Sequence, residues 1–585
     1  MIDIDFEMED IEYEQSNNQF ELINLPKLTD EEKNLIDPVV APTSGLRIQI
    51  YDIDDSAKTP KYILTNRKLY LFLRVFKAIS LKFKQMKDES KLKVLIVTDD
   101  RPSSHVLLNF SSKIFAYEGY EVYHQKDKKE WSRASSPYGA ASVALYDDIN
   151  LIVVLTASHN DLSWNGIKFY IDYPIPISGD LFKDVSNIAL DLKNIKLKKK
   201  IKPQVIDAIQ KNNDYVRDLV SKIIDIKSLN GENLVIWPYL GKAEGILKLF
   251  KDYGVQVHLI KDTINPPNPI EIVKEEKLQE VMNDSNSNIA LLLDADRDRI
   301  ALYVKKNGEF SYYIPNEIYS AMHNILAKEF KKEIINIRTI PSDLRADHTS
   351  FLNVLTGVGY KHLGIILYFL FDVEVDPSKI DSAILYMERE NEELIQIKEA
   401  QPLKNEIIRR MERKGLTNVQ FIVVMWEESG GHTLNLLNAS KNEITGEFEF
   451  STNLPLIADK YIVPALVLIT ELISRGYVIE DAIDWSLKGI NQTIHAEDEE
   501  KLRIMENFEK LDGKELTIAE KNYKITGLYD NEGNIEIYKL KSDNSTLYFR
   551  PSGTGPQVRF YIFGDRNTYL NEIRTVKEFV KKNYS

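Results

Sequence analysis

Short apolar runs, each followed at once by a polar loop, recur along the chain. Clear cases lie at residues 94–97, 151–155, 289–293 and 421–425. Runs of four or five large apolar residues that stop at polar residues are typical of buried strands. Ligands of open α/β sheets bind beyond the carboxyl ends of the strands. The loops after these runs are therefore the first places to look for a functional site.

Segments with helical periodicity alternate with these predicted strands. They lie at residues 66–87, 214–224, 243–253 and about 460–475. Alternation of buried strands and helices indicates mixed or parallel α/β domains. Near the C-terminus, residues 558–562 alternate between apolar and polar positions, which predicts one more strand before a terminal helix.

Length, charge and composition narrow the class of protein to which this chain can belong. At 585 residues the chain needs about three to five domains. It has no cysteine, which removes disulfides, thiolate zinc sites and cysteine nucleophiles and is typical of a cytosolic enzyme. No apolar run reaches membrane-spanning length and no signal peptide is evident, so we expect a cytoplasmic protein without a membrane partner. A net charge of −14 argues against nucleic-acid binding, but it leaves small anionic substrates open.

The N-terminal segment is acidic. Carboxylates recur from Asp3 to Glu14, before the first basic residue, Lys27. The composition predicts a solvated, partly disordered extension over residues 1–40. A partner-binding tail is the alternative.

A candidate nucleophile follows the run at 151–155. The loop reads TASHN at 156–160, with Ser158 beside His159. A serine at the end of a buried strand, next to a histidine, can act as a nucleophile. An ordinary polar turn is the alternative. The sequence NGIK at 165–168 resembles a hairpin turn that returns Lys168 toward Ser158.

Three carboxylates follow the run at 289–293. Asp294, Asp296 and Asp298 alternate with Ala295 and Arg297. Hard oxygen ligands with incomplete protein coordination suit Mg²⁺. A solvated turn and a Ca²⁺ loop are the alternatives, although an EF-hand is excluded because the central glycine and the glutamate at position twelve are missing. We expect Arg297 on the outer side of the loop, since a cation among the ligands would repel a metal ion.

Two further loops offer groups for phosphate and sugar. The stretch at 550–557 combines Arg550, the hydroxyls of Ser552 and Thr554 and two glycines, and Arg559 follows. Guanidinium groups, hydroxyls and a backbone nest bind phosphate, although a plain Gly/Pro turn remains the alternative. Glu427, Ser429 and His432 offer donors and acceptors for sugar hydroxyls, which taken alone is the weakest of these signals.

Taken together, the loops resemble the α-D-phosphohexomutase superfamily, which includes phosphoglucomutase and phosphomannomutase. The matching segments are TSGLR at 43–47, DDRPSS at 99–104, TASHN at 156–160, NGIK at 165–168, DADRDR at 294–299, GYKH at 359–362, EESGGH at 427–432 and RPSGTGPQVRFY at 550–561. The resemblance spans residues 40–585. Its strength lies in the order and spacing of separate loops.

The resemblance implies an α/β fold with four domains around a central cleft. Three domains are mixed α/β and the smaller C-terminal domain is α+β. We predict the acidic extension at 1–40 and domains at 41–203, 204–315, 316–493 and 494–585. In chain order, the four domains carry the phosphoserine loop, the metal-binding loop, the sugar-binding loop and the phosphate-binding loop.

The resemblance also implies roles for residues. The catalytic set is Ser158 as phosphoserine, Lys168 as general acid/base, and His159. The implied cofactor is Mg²⁺, held by Ser158, Asp294, Asp296 and Asp298. The implied substrate-binding set is Arg47, Arg299, Lys361, Glu427, Ser429, His432, Arg550, Ser552, Gly553, Thr554 and Arg559.

The implied activity interconverts hexose 1-phosphate and hexose 6-phosphate, with glucose preferred, through a phosphoserine enzyme and a hexose 1,6-bisphosphate. A phosphomannomutase or dual-specificity mutase is the first alternative, and a catalytically idle scaffold is the second. Some residues depart from the family pattern. Asp161 stands in place of proline, Ala295 and Arg297 in place of glycines, Trp426 in place of glycine and Gly555 in place of glutamate, and an additional glycine displaces His432.

Overall fold

The structure is a computed structural model that describes residues 4–38, 45–56, 58–87, 91–175, 179–270, 274–389, 393–551 and 557–584. Internal contacts divide the chain into two compact units. Unit 1 comprises Met1–Pro315, Ser429–Leu434 and Leu454–Arg475, and unit 2 comprises Asn316–Glu428, Asn435–Asn453 and Gly476–Ser585. The four domain limits given above remain predictions.

Strands and helices are numbered in chain order. The described strands are β1 Asp5–Met8, β2 Gln15–Ser16, β3 Phe20–Asn24, β4 Leu46–Gln49, β5 Tyr51–Asp54, β6 Lys61–Leu64, β7 Lys93–Thr98, β8 Glu121–Gln125, β9 Leu151–Leu155, β10 Trp164–Ile171, β11 Asn194–Lys198, β12 Gln204–Ile206, β13 Asn233–Trp237, β14 Gln256–Leu259, β15 Ile289–Leu293, β16 Ile300–Lys306, β17 Glu309–Tyr313, β18 Glu333–Thr339, β19 Leu352–Thr356, β20 Leu385–Glu388, β21 Leu394–Gln396, β22 Asn418–Trp426, β23 His432–Lys441, β24 Phe448–Ser451, β25 Leu487–His495, β26 Glu515–Ile518, β27 Lys521–Tyr529, β28 Ile535–Lys541, β29 Ser545–Pro551 and β30 Gln557–Asp565.

The described helices are α1 Asp30–Ile36, α2 Asn66–Met86, α3 Ser104–Tyr117, α4 Ser136–Leu145, α5 Gly179–Asp191, α6 Ala208–Ile223, α7 Glu244–Asp252, α8 Glu275–Asp284, α9 Pro315–Lys328, α10 Tyr360–Leu370, α11 Pro377–Ile380, α12 Ala400–Arg413, α13 Val463–Ser474, α14 Ile479–Ala482, α15 Asp498–Glu509 and α16 Tyr569–Tyr584. No helix in the described parts of the chain has both the length and the apolar character to cross a membrane.

The largest sheet of unit 1 has the order β12-β8-β7-β9-β10-β4. Strands β7, β8, β9 and β12 run parallel, while β10 pairs antiparallel with both β9 and β4. Every residue of β9 is buried, as its unbroken apolar run predicts. The loops after β7 and β9 therefore leave the same edge of the sheet.

The second main sheet of unit 1 has the order β14-β13-β15-β16-β17. Its first three strands in that order are parallel, and β15 turns back into the antiparallel strand β16. The three aspartates lie in that turn. The predicted α/β class is confirmed, and so are the strands predicted at 94–97, 151–155, 289–293 and 421–425.

Residues 4–38 form strands and a helix, so for these residues the prediction of a partly disordered extension is wrong. Strand β1 pairs with β6, and β3 pairs with β11. Helix α1 begins with a capping box between Thr29 and Glu32. The buried Arg74 donates to the carbonyl of Pro26 at 2.7 Å. The acidic side chains of Asp5 and Glu7 are compatible with this fold because both lie on β1, which is exposed.

The described residues of unit 2 form two sheets. One has the order β21-β20-β19-β18-β22-β23-β24, with β18, β19 and β22 parallel. The other, β25-β30-β29-β28-β27-β26, is antiparallel. Leu355 and Tyr386 of the first sheet share a buried cluster with Ile537, Tyr548 and Tyr561 of the second. The two sheets of this unit thus pack on one another.

Candidate active site

Ser158 lies directly beyond β9 and is 1% exposed. Its backbone is in the left-handed region at φ +53°, which is uncommon for a residue with a side chain. Its hydroxyl lies 3.4 Å from Asp294 Oδ2 and 3.3 Å from His159 Nδ1. The strained turn therefore directs the hydroxyl toward the aspartate loop.

Arg101 fixes the shape of the Ser158 loop. It follows β7, is fully buried, and pairs with Asp99 at 3.1 Å. Its guanidinium donates to four carbonyls of the loop: those of Ser158 and Asn160 at 2.6 Å, Asp161 at 2.8 Å and Trp164 at 2.9 Å. Sequence analysis assigned no role to Arg101. The sequence signals were its position in the polar loop after a buried strand and its place in the segment DDRPSS, which resembles the family.

Three buried carboxylates converge at the end of β15. One ligand oxygen from each of Asp294, Asp296 and Asp298 lies within 4.8 Å of the others. Asp294 Oδ1 accepts the backbone N–H groups of Asp298 and Arg299, which fixes its orientation. Burial, followed by the charges of Asp296 and Asp298, raises the pKa of Asp294 well above its ordinary value.

This arrangement fits a divalent cation. The Oδ1 atoms of Asp296 and Asp298 are buried and have no hydrogen-bond partner among the described residues. Buried carboxylate oxygens without partners are costly unless a cation or donor meets them. Mg²⁺ takes oxygen ligands and usually keeps open positions for water or phosphate. The Ser158 hydroxyl lies beside the same cluster, so the four residues predicted as ligands are together.

Lys168 lies on β10, opposite Val154 of β9. Its Nζ is 2.9 Å from Ser136 Oγ, 3.0 Å from Asp296 Oδ2 and 3.3 Å from Asp298 Oδ2. Burial acts to lower the pKa of Lys168, but Asp296 and Asp298 outweigh it and raise that pKa. Lys168 therefore carries a proton, as a general acid must before it donates.

Two arginines flank the Ser158 loop. Arg47 Nη1 donates to Asn160 Oδ1 at 3.3 Å, and Arg299 Nε lies 3.8 Å from Asp298 Oδ1. Burial, then the charges of Arg299 and Arg47, lower the pKa of His159 to about 3. His159 is thus neutral, and it shares a hydrogen bond with Ser158. The positive charges of Arg47 and Arg299 can attract a negatively charged ligand to the Ser158 loop.

Some departures from the family pattern have a local explanation. Asp161 closes the turn that proline usually makes, because its carboxylate accepts from the N–H of Ser163 at 2.8 Å and from Asn265 at 2.6 Å.

Arg297 takes a left-handed conformation at φ +62° in place of glycine. Its guanidinium donates to Asp100 and to the Leu240 carbonyl, both at 2.7 Å. These contacts agree with the prediction that Arg297 lies on the outer side of the loop.

The predicted sugar loop is divided between the units. Ser429 and His432 are in unit 1, and His432 is fully buried at the start of β23. Gly430, at φ +112°, lies so close to Arg299 that an added Cβ would approach the Arg299 Cβ to 3.1 Å. Ser429 and Gly430 thus belong to the same neighbourhood as Arg299.

The other predicted substrate-binding residues lie in unit 2. Glu427 is buried at the end of β22, and the neighbouring Glu428 accepts from Thr339 at 3.1 Å. Lys361 is the second residue of α10.

Arg550 and Arg559 face each other across β29 and β30. Directly opposed like charges are unfavourable in a sheet, so this pair favours an anion. Ser552, Gly553 and Thr554 lie outside the described residues.

Comparisons with known proteins point to one superfamily. Residues 65–196 match the family model for phosphoglucomutase/phosphomannomutase, alpha/beta/alpha domain I. A phosphoglucosamine mutase of Dictyoglomus turgidum is 25% identical over 252 residues, which are 41% of this chain and 52% of that protein. The phosphomannomutase of Escherichia coli is 30% identical over 179 residues, which are 28% of this chain and 38% of that protein. The matched part thus spans about half the length of these relatives or less.

Solved structures are similar to this chain in fold over almost its whole length. The exocytosis-sensitive phosphoprotein pp63/parafusin, a phosphoglucomutase of Paramecium, aligns over 96% of both chains with a TM-score of 0.59 at 13% identity. A phosphoglucomutase/phosphomannomutase family protein of Burkholderia thailandensis aligns over 94% of this chain and 99% of its own, with a TM-score of 0.55 at 13% identity. The predicted resemblance to the phosphohexomutase superfamily is confirmed in fold and, over residues 65–196, in sequence.

Mg²⁺ should raise the thermal unfolding midpoint of the metal-free protein. An ion that binds only the folded state stabilises it by ~2.7 kcal/mol at a concentration one hundred times its Kd. The measurement is differential scanning calorimetry with and without Mg²⁺. Asp296→Asn should abolish the shift, whereas Asp214→Asn, an exposed carboxylate paired with Arg217, should keep it. An equal shift in wild type and Asp296→Asn would contradict this assignment.

Proposed function

We propose that this chain, which has the phosphohexomutase fold, interconverts hexose 1-phosphate and hexose 6-phosphate, with glucose phosphate preferred. The observation that carries the proposal is the convergence in unit 1 of the Ser158 hydroxyl, the Lys168 ammonium and three buried carboxylates. A nucleophile, a proton donor and ligands for a divalent cation are the groups that phosphoryl transfer requires.

The proposed cycle conserves phosphoryl groups. Phosphorylated Ser158 gives its phosphoryl group to the free hydroxyl of a hexose monophosphate, which forms a hexose 1,6-bisphosphate. After the bisphosphate reorients, Ser158 Oγ receives the other phosphoryl group and the isomeric monophosphate leaves. When bound, Mg²⁺ would be held by Ser158 and the three aspartates and would neutralise charge on the transferring group.

The residues of the chain have distinct parts in this proposal. Lys168 Nζ supplies the proton that Ser158 Oγ needs as the phosphoryl group departs, and takes up the proton of the attacking hydroxyl. Arg101 keeps the Ser158 backbone in position through its carbonyl contacts. Arg47 and Arg299 offset the negative charge of the substrate.

Residues of unit 2 complete the proposal. Arg550 and Arg559 are proposed to bind the phosphate that is not reacting, together with Ser552, Gly553 and Thr554. Glu427 and Ser429 are proposed to accept hydrogen bonds from sugar hydroxyls, and Lys361 and His432 to contact the substrate. The directly opposed positions of Arg550 and Arg559 on β29 and β30 support phosphate binding in unit 2.

The substrate preference is a proposal of its own. The sequence Glu427-Glu428-Ser429 resembles phosphoglucomutases, which favours glucose. Several similar proteins are named phosphoglucosamine mutase, so glucosamine phosphate is the second candidate. Mannose phosphate is the third, given the similar phosphomannomutase.

A coupled assay tests the activity and the preference together. We expect turnover of glucose 1-phosphate with Mg²⁺ and catalytic bisphosphate, at a higher kcat/KM than glucosamine 1-phosphate and mannose 1-phosphate. A higher kcat/KM for either competitor would overturn the preference alone. Absence of turnover with every hexose phosphate would instead favour a catalytically idle scaffold.

A further inference from the structure

Ser136 is a buried serine beside the proposed proton donor. It is 3% exposed and is the first residue of α4. Its hydroxyl accepts a hydrogen bond from Lys168 Nζ at 2.9 Å. The two residues are 32 positions apart along the chain, so the fold and not local sequence brings them together. Ser136 therefore contacts the acid/base group of the proposed reaction directly.

The start of α4 does not require the Ser136 hydroxyl. The preceding residue, Ser135, caps the helix, because its hydroxyl accepts from the backbone N–H of Tyr138 at 3.2 Å. This is the usual contact of a serine at the N-cap position. The buried hydroxyl of Ser136 is thus left for its contact with Lys168.

The backbone of Ser136 is fixed on two sides. Its N–H donates to the carbonyl of Asp296, in the aspartate loop, at 2.9 Å. Helix α4 also lies very close to the sheet, because a Cβ added to Gly139 would approach side-chain atoms of Val97 and Val154 to 2.7 Å. Ser136 therefore has a set position relative to both the sheet and the aspartate loop.

The ammonium group of Lys168 has three N–H groups to donate. It lies within hydrogen-bond distance of three described side-chain oxygens, those of Ser136, Asp296 and Asp298. A proton can pass from Lys168 to Ser158 Oγ only if one of these contacts is exchanged. The two carboxylates are charged and attract an ammonium more strongly than a neutral hydroxyl does. The N–H that points to Ser136 is therefore the one most easily released.

A hydroxyl also differs from a carboxylate because it can donate a hydrogen bond as well as accept one. Before the proposed transfer, Lys168 Nζ donates to Ser136 Oγ. After the proton has moved to Ser158 Oγ, the Ser136 hydroxyl can donate to the neutral Nζ. Among the three described partners of Lys168, Ser136 is thus the one that can hold Nζ both before and after the transfer.

We propose that Ser136 is a positioning residue for Lys168, whose hydroxyl holds the N–H that is transferred and keeps Nζ in place through the reaction. The inference rests on the proposed function, because Lys168 is the acid/base group of that reaction. It assigns no contact between Ser136 and the substrate. Loss of the hydroxyl should therefore slow the chemical step and leave substrate binding nearly unchanged.

Ser136→Ala tests the proposal, because it removes the hydroxyl and keeps the backbone contact with Asp296. We expect kcat for glucose 1-phosphate to fall about tenfold, which is part of the ~10²–10⁴-fold that a general acid or base contributes. KM should change little. Ser136→Thr keeps a hydroxyl at the same position and should restore most of kcat.

Ser142→Ala is the matched control on the same helix. Ser142 is fully buried, and its hydroxyl donates to the carbonyl of Tyr138 at 2.7 Å and accepts from Asn212 at 3.3 Å. Its loss should lower the unfolding midpoint without lowering kcat. Wild-type kcat in Ser136→Ala, or equal losses of kcat in Ser136→Ala and Ser142→Ala, would overturn the proposal.

Crystal structures of the wild type and both alanine variants separate this inference from the proposed function. Lys168 Nζ should move by about 1 Å in Ser136→Ala, a displacement large enough to affect a reaction rate, and should stay in place in Ser142→Ala. An unmoved Lys168 in Ser136→Ala would overturn the inference even if the enzyme is active. A wild type without turnover would contradict the proposed function, and the position of Lys168 would still decide whether Ser136 holds it.

Discussion

Ser158→Ala should lower turnover of glucose 1-phosphate by ~10⁴–10⁶-fold, as is typical when a nucleophile is removed. The alanine cannot accept or return a phosphoryl group, and it also loses the hydrogen bond that Ser158 donates to Asp294. The measurement is kcat by the coupled assay. Intact mass and peptide mapping should also find one phosphoryl group on Ser158 of the wild type and none in the variant.

Ser163→Ala provides the matched control. Ser163 is equally buried in the same loop. Its contacts that shape the loop are made by the backbone, since its N–H donates to Asp161 and its carbonyl accepts from Ile50 and Tyr51. We expect this variant to retain most of its turnover. A Ser158→Ala protein that keeps wild-type kcat, or a phosphate located on another residue, would refute the assignment of the nucleophile.

The elements that carry the candidate site could be predicted because their signals are local. The unbroken apolar runs of β9 and β15, and the polar residues directly after them, gave both strand ends correctly. Three alternating aspartates likewise indicated a metal site without structural information. The proximity of Ser158 and Asp294 is different, because 136 residues separate them. Only the family resemblance could predict that contact.

Other features depend on contacts that no local pattern reveals. Strand β3 is short and acidic in part, and its partner β11 is a lysine-rich segment far along the chain. Each segment alone resembles solvated chain, whereas together they form a sheet that buries Ile23 and Ile195. Arg101 was missed for the same reason, since a buried arginine that bonds distant carbonyls has the same sequence signature as an exposed one.

Arg101→Lys should lower kcat by about 10²-fold while KM changes little. Arginine offers five donors in a fixed fork, whereas lysine offers three from a point charge. The substitution keeps the positive charge beside Asp99, but it leaves some of the four loop carbonyls without a donor. The Ser158 loop can then shift, and a displacement of about 1 Å at a reacting group can cost about 10²-fold in rate. The measurements are kcat, KM and the phosphorylated fraction of Ser158.

A matched variant separates positioning from general stability. Arg74 is also buried, and it donates to the carbonyls of Pro26, Ala189 and Leu192. Each buried carbonyl left unpaired costs about 1–3 kcal/mol, so Arg74→Lys and Arg101→Lys should both lower the unfolding midpoint. Only Arg101→Lys should lower kcat, because Arg74 holds the N-terminal segment and not the Ser158 loop. If both variants lose kcat in proportion to their loss of stability, Arg101 supports the fold alone and does not position the nucleophile.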